Sequence, residues 1–124
     1  INMPQLRTRL KPADNCGARS LMVMHIYKGH FHKKATIGDT VMAVVKEAIP
    51  NGMLKKKEKV KVVIVRTKKE FGRKDGSYIR FSDNAGVVID NTGAPRGTRI
   101  FGPIAREIKD LGFNKIASMA KEVY

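Results

Sequence analysis

Apolar and polar positions along this chain alternate first with a period of two and later with a period near four. Leu6-Arg-Thr-Arg-Leu10 alternates strictly, which predicts a strand with one wet, basic face. Further β-type runs are Leu21 to Tyr27, Thr40 to Ile49, Val60 to Val65, Tyr78 to Phe81 and Gly86 to Asp90. Val60 to Val65 is the most strand-like of them and is expected at the centre of the sheet. The breaks carry turn chemistry. Asp14-Asn15-Cys16-Gly17 pairs self-bonding Asp and Asn side chains with a Gly that takes positive φ cheaply. Pro50-Asn51-Gly52 stops the third run, Lys55 to Lys59 reads as an exposed turn, and Lys28 to Gly38 reads as a loop.

After Gly93, Pro95 and Gly97 the period changes. Ile104, Ile108 and Leu111 recur at helical spacing, with Pro103 suited to the first turn and Gly112 to the position after the helix end. A second short helix is predicted around Asn114 to Ala120. Strands first and short helices last predict a mainly β protein, a small β-barrel with a C-terminal helical extension. The 124 residues suit one domain, with the barrel at 1–97 and the loop and helices at 98–124.

Charge changes this picture. The chain has 25 Lys and Arg against 11 Asp and Glu, a net charge of +14. Self-repulsion at that charge opposes compactness unless an anionic partner relieves it, and nucleic acid is such a partner. The charge is uneven. Lys46 to Arg80 holds 12 basic and 4 acidic residues, whereas Phe101 to Tyr124 holds 4 and 3. The first region reads as a nucleic-acid surface and the second as a surface able to meet proteins. One cysteine, Cys16, rules out an internal disulfide and fits a reducing compartment. No secretory signal is visible, and no apolar run approaches the ~20 residues of a membrane span.

The candidate RNA-binding residues are Lys55, Lys56, Lys57 and Lys59 before the central strand, and Arg66, Lys68, Lys69, Arg73, Lys74 and Arg80 at its end and beyond. Arg19 and Lys28 join them. Lys supplies point charges and Arg a bidentate fork for phosphate oxygens. His25, His30 and His32 lack the second cysteine or carboxylate pair that would complete a metal site, so no metal or other cofactor is expected. Cys16 has no evident base and reads as a packed small side chain, so no catalytic residue is assigned. Gly97-Thr-Arg-Ile-Phe-Gly-Pro103 reads as a connector or as a stiff loop presenting Thr98 and Arg99, and the residues alone leave both open.

These segments together resemble the universal large-subunit ribosomal protein L-fourteen family, end to end. The resemblance rests on Ala13-Asp-Asn-Cys-Gly-Ala18, Gly38-Asp39, Val63-Ile-Val-Arg-Thr-Lys-Lys69, Arg73-Lys-Asp-Gly-Ser77, Phe81 to Val88 and Gly97 to Pro103. Lys46-Glu-Ala-Ile-Pro50 resembles the bacterial and organellar branch. The resemblance implies a barrel of about five strands. It implies binding to large-subunit rRNA, contact with small-subunit rRNA through Lys46, Glu47, Pro50 and Asn51, and a neighbour of the L-nineteen family. It further implies a surface for a ribosome silencing factor formed by Thr98, Arg99, Lys115 and Ser118. The implied location is the ribosome, in a bacterial cytoplasm or a mitochondrial matrix. A structural, non-enzymatic rRNA-binding protein is the reading adopted. The alternative is a free-standing nucleic-acid-binding barrel. A single-strand binder would need stacking aromatics, and aromatic residues make up only 6%.

Overall fold

The computed structural model describes residues 9–26, 35–50, 52 and 54–124. Its strands are β1 (Arg9–Pro12), β2 (Ala18–Ile26), β3 (Thr40–Ala48), β4 (Lys59–Arg66), β5 (Phe71–Gly72), β6 (Tyr78–Ile79) and β7 (Ala85–Ile89). Two short helices follow, α1 (Glu107–Asp110) and α2 (Asn114–Met119). Strands β1, β2, β3, β4 and β7 close into a five-stranded barrel, and β5 with β6 forms a separate hairpin. Neighbours are antiparallel except β1 and β7, which pair in parallel to complete the ring.

The inner face follows from alternation. On β3, Val41, Ala43 and Val45 are buried, while Met42, Val44 and Lys46 are half-buried on the outside. On β4, Lys59 and Lys61 are exposed and alternate with buried Val60 and Val62. From Val62 onward every β4 residue is buried, because the strand is covered on both faces. Val62 and Ile64 point into the barrel with Leu10, Leu21, Val23 and Val88. Val63 and Val65 point outward into a second core with Val87, Ile89, Ile104, Ile108 and Ile116. The barrel centre has no spare room: a Cβ on Gly86 would fall 2.3 Å from the Val62 Cγ1.

The C-terminal segment therefore lies on the barrel wall. Each fully buried Ile of that second core contributes about 1.5–3 kcal/mol before the entropy of ordering the segment is subtracted. Several expected boundaries shift. The first strand is described only from Arg9 and runs to Pro12; residues 6–8 lie outside the described residues, as do Tyr27, His30 and His32. The helix expected from Ile104 to Leu111 is one turn, Glu107–Asp110. Ile104 instead bridges Val123, and Leu111 is 58% exposed with its side chain against Gly38. Burial at Ile104 and Ile108 without helix between them produced the misleading spacing. Gly112 does follow the helix end, at φ +96. The pairing of Phe71–Gly72 with Tyr78–Ile79 carried no alternation signal, being two residues on each side.

Candidate nucleic-acid surface and a braced loop

Most of the candidate RNA-binding side chains are exposed, and they fall into separate groups. Arg19 and Lys68 line a shallow groove of about 340 Å³ with Arg9 and Lys11, across the mouth of β1 and β2. Arg9 and Lys11 were absent from the sequence-derived set, although the wet, basic face expected of the first strand pointed to Arg9. Arg9 Nη1 donates to Ser20 Oγ at 3.1 Å, which orients it along that groove. A second groove, of about 380 Å³, is lined by Lys59, Lys61 and Arg96 beside the Asp90–Asn91 turn. Here Glu58 lies 3.5 Å from Arg96 and moderates the charge.

Lys55, Lys56 and Lys57 form the exposed turn before β4. The Lys57 N–H donates to the Val45 carbonyl at 2.7 Å, and the Val45 N–H donates to the Glu58 carbonyl at 2.9 Å, so the turn is tied to β3. Lys57 sits at φ 72, the one non-glycine residue in that region among those described. Lys69, Lys74 and Arg80 are exposed on the segment around the β5–β6 hairpin. Lys28 and Asn51 lie outside the described residues. Of the segment assigned to the subunit interface, Glu47 and Pro50 are exposed and Lys46 is half-buried.

Two arginines of the set turn inward. Arg66 is 6% exposed, and its Nε donates to Asp83 Oδ1 at 2.9 Å. Its Nη1 donates to the carbonyls of Phe101 at 2.9 Å and Pro103 at 3.1 Å. Gly102 takes φ +78 directly against that guanidinium, where a Cβ would fall 2.3 Å from Nη1. Arg73 lies against Glu107, with Nε 2.9 Å from Oε2 and Nη2 donating to Oε1 at 3.1 Å. These guanidinium groups hold the C-terminal segment and the hairpin to the rest of the molecule. The Arg66 fork is occupied by hydrogen bonds, while Arg73 Nε approaches Glu107 as an ion pair without the alignment of a hydrogen bond. In sequence both arginines look like their lysine neighbours, because the partners lie 17 and 34 residues away.

Thr98 and Arg99 are exposed on a loop that runs antiparallel to residues 13–15. The Phe101 N–H donates to the Ala13 carbonyl at 2.6 Å. Asn15 Oδ1 accepts from the N–H groups of Thr98 and Arg99, and Asn15 Nδ2 donates to Thr98 Oγ1. From sequence Asn15 reads as a turn residue bonding its own backbone; its side chain instead crosses to this loop, 83 residues away. Thr98 and Arg99 share a groove of about 630 Å³ with Phe101, Met119, Lys121 and Glu122. Lys115 and Ser118 are exposed on α2, but they do not line that groove. The Ser118 hydroxyl donates to the Lys115 carbonyl at 2.9 Å.

Beneath the loop, Cys16 is fully buried in the barrel core. Burial, followed by the neighbouring Asp14 charge, pushes its thiol up to about 12. A thiol held protonated in this way packs as a small apolar group. Burial likewise raises the Asp14 carboxyl above the usual range, although its Oδ2 accepts from the Val88 N–H at 3.1 Å. Among the described residues no three His, Cys, Asp or Glu side chains are grouped to hold a metal, and no helix is long and apolar enough to cross a membrane.

Comparison with known proteins gives a consistent answer. The family model described as ribosomal protein L14p/L23e matches residues 3–124. The large ribosomal subunit protein uL14 of Petrotoga mobilis is 55% identical over 122 residues, covering 98% of this chain and 100% of that protein.

Proposed function

The chain belongs to the ribosomal protein L14p/L23e family, a family of large-subunit ribosomal proteins rather than enzymes, and from that premise we propose how its surface is divided. The barrel side binds large-subunit rRNA. Its exposed cations in the Arg9–Arg19–Lys68 groove, the Lys59–Lys61 groove and the Lys55–Lys57 turn neutralise phosphates and release counterions. Base stacking has little part, because among the described residues no aromatic side chain lines these two grooves. Recognition is of folded RNA shape. The segment from Lys46 to Asn51 faces small-subunit rRNA. The loop bearing Thr98 and Arg99, together with Lys115 and Ser118 on α2, meets proteins: a silencing factor that blocks subunit joining, with an L-nineteen family neighbour nearby. The site of action is the ribosome of a bacterial cytoplasm or a mitochondrial matrix.

The observation that carries this reading is the inward turn of Arg66. One cation of the basic segment is withdrawn from the surface and used to clamp the 97–103 loop, so the two surfaces are built differently. Filter binding of the chain to large-subunit rRNA across a salt series, with large subunits assayed for factor binding and subunit joining, tests the division. Arg99→Ala is expected to leave the salt slope and incorporation unchanged and to weaken factor binding. Failure of that variant to enter subunits, with factor binding intact in those that form, would assign Arg99 to the rRNA surface.

A further inference from the structure

Asn15 makes three hydrogen bonds to one short loop, and their directions are fixed by chemistry. Its Oδ1 accepts from the backbone N–H groups of Thr98 at 2.8 Å and Arg99 at 3.0 Å. Backbone N–H groups only donate, so the atom facing them must be the oxygen. The other limb of the amide is then NH2, and it donates to Thr98 Oγ1 at 2.8 Å. Gly97 permits this approach, since a Cβ there would lie 2.7 Å from Asn15 Oδ1. A threonine hydroxyl has one hydrogen. With its oxygen accepting from Asn15, that hydrogen is directed to an acceptor elsewhere.

We propose that Asn15 is a positioning residue that fixes the Thr98–Arg99 backbone and turns the Thr98 hydroxyl into an outward donor, so that a protein docked there must present a carboxylate or carbonyl oxygen to it. This rests on the loop's being a protein-docking surface. The surroundings favour a protein over an RNA phosphate at this point. Phe101 is 51% exposed and lines the same groove with Met119, so apolar surface lies among the charges of Arg99, Lys121 and Glu122, the last accepting from the Tyr124 hydroxyl. Apolar surface with charges of both signs suits a protein segment better than a phosphate backbone, which Glu122 would repel.

Asn15→Asp separates geometry from polarity. A carboxylate of the same shape still accepts from both N–H groups but has no hydrogen to donate. The Thr98 hydroxyl must then rotate and donate to it, and the outward donor is lost while the loop stays in place. Thr98→Val removes the donor outright, and Thr98→Ser retains it.

The test uses purified large subunits carrying each variant chain, titrated with purified cognate silencing factor. Asn15→Asp and Thr98→Val are each expected to weaken binding roughly ten-fold, the scale of one hydrogen bond to a charged group, and Thr98→Ser to stay within about two-fold. The double variant should bind no worse than Thr98→Val alone, because both changes delete the same donor. Additive losses would mean that the new carboxylate acts by charge, and would overturn the proposal. Arg99→Ala weakening the factor while Thr98→Val does not would leave the docking reading intact and remove the outward donor. If neither Arg99→Ala nor Thr98→Val affects the factor and both impair rRNA binding, the loop is an RNA contact and both readings fall. Should Asn15→Asp subunits fail to assemble, the Thr98→Val and Thr98→Ser pair decides, and equal affinities overturn the proposal.

Discussion

The turn at Lys55–Lys57 and the loop at Gly97–Pro103 are both exposed connections, yet they are built on opposite plans. The turn holds three consecutive cations whose side chains project into water, and its restraints are backbone bonds to β3 and one from the Lys55 N–H to Glu58 Oε1 at 3.2 Å. The loop carries two presented side chains and is gripped at both ends by side chains of the barrel, Asn15 at Thr98–Arg99 and Arg66 at Phe101–Pro103. A phosphate backbone is attracted by charge at a distance and tolerates mobile lysines. A protein interface gains affinity when the ordering entropy has been met before the partner arrives. The difference teaches that surface charge and surface geometry are separate provisions in this molecule, drawn from different parts of the chain.

The most severe way to break the comparison is to strip the loop of its support altogether. Val65 is fully buried between the barrel wall and the C-terminal segment. Val65→Asp places a carboxylate there with no partner, at a cost of several kcal/mol against a total stability of ~5–15 kcal/mol. Cooperative thermal unfolding should disappear. A variant that melts like the parent would show that the second core does not hold the segment.

Arg66→Ala is next in size and more selective. It leaves Asp83 and the Phe101 and Pro103 carbonyls without their donor. A wholly buried broken pair costs ~3–5 kcal/mol, and water reaching the partly exposed Asp83 lowers the expected loss to about 2–4 kcal/mol. Amide exchange in residues 97–103 should quicken, factor binding should weaken, and the salt slope for rRNA should not move. A fall in that slope would mean that Arg66 meets phosphate after all.

Much of the fold was legible because its signal is local. The alternation in Thr40–Ala48 and the unbroken Val62–Val65 run require nothing beyond the segment itself to announce a half-covered strand and a doubly covered one. The site was legible only in its charge. Lys55 to Lys59 reads as an exposed basic turn, and Lys55 to Lys57 is one, while Lys59 already opens β4. Arg66 reads as its continuation and is not, because Asp83 and the two carbonyls that bury it belong to segments brought near by folding. Asn15 and Thr98 lie 83 residues apart, and no periodicity connects them. Leu111 failed for a related reason: its spacing matched a helix that begins only at Glu107.

Smaller in energy, and confined to the other side of the comparison, is removal of the turn's charge. Lys55→Ala, Lys56→Ala and Lys57→Ala together should weaken rRNA binding and reduce the salt slope by roughly 0.7–0.9 for each phosphate no longer neutralised. Factor binding by subunits that assemble should be unchanged. An unchanged slope in filter binding would take these lysines off the rRNA surface.

The smallest effect concerns Lys57 alone, and it asks whether the turn was shaped for stability or for charge. At φ 72 a side chain crowds its own backbone, at a cost of roughly 1–2 kcal/mol that glycine does not incur. The residue cannot relax by leaving that conformation, because its N–H is committed to the Val45 carbonyl. Lys57→Gly should therefore relieve the strain. The greater freedom of glycine in the unfolded chain takes back about 0.5–1 kcal/mol, leaving a net gain of up to about 1 kcal/mol. For a domain of this size the melting temperature should rise by about 3–5 °C at most. The same variant should lose one cation's share of the salt slope. Lys57→Ala loses the same charge but keeps the strain, so it should bind RNA like Lys57→Gly and melt no higher than the parent. The pair separates backbone from charge at one position. If Lys57→Gly melts lower than Lys57→Ala, the left-handed conformation costs less than the extra freedom of glycine in the unfolded chain, and the turn is not significantly strained there. If it melts higher and binds rRNA more weakly, the chain accepts a strained residue there because a lysine at that point on the turn meets the RNA.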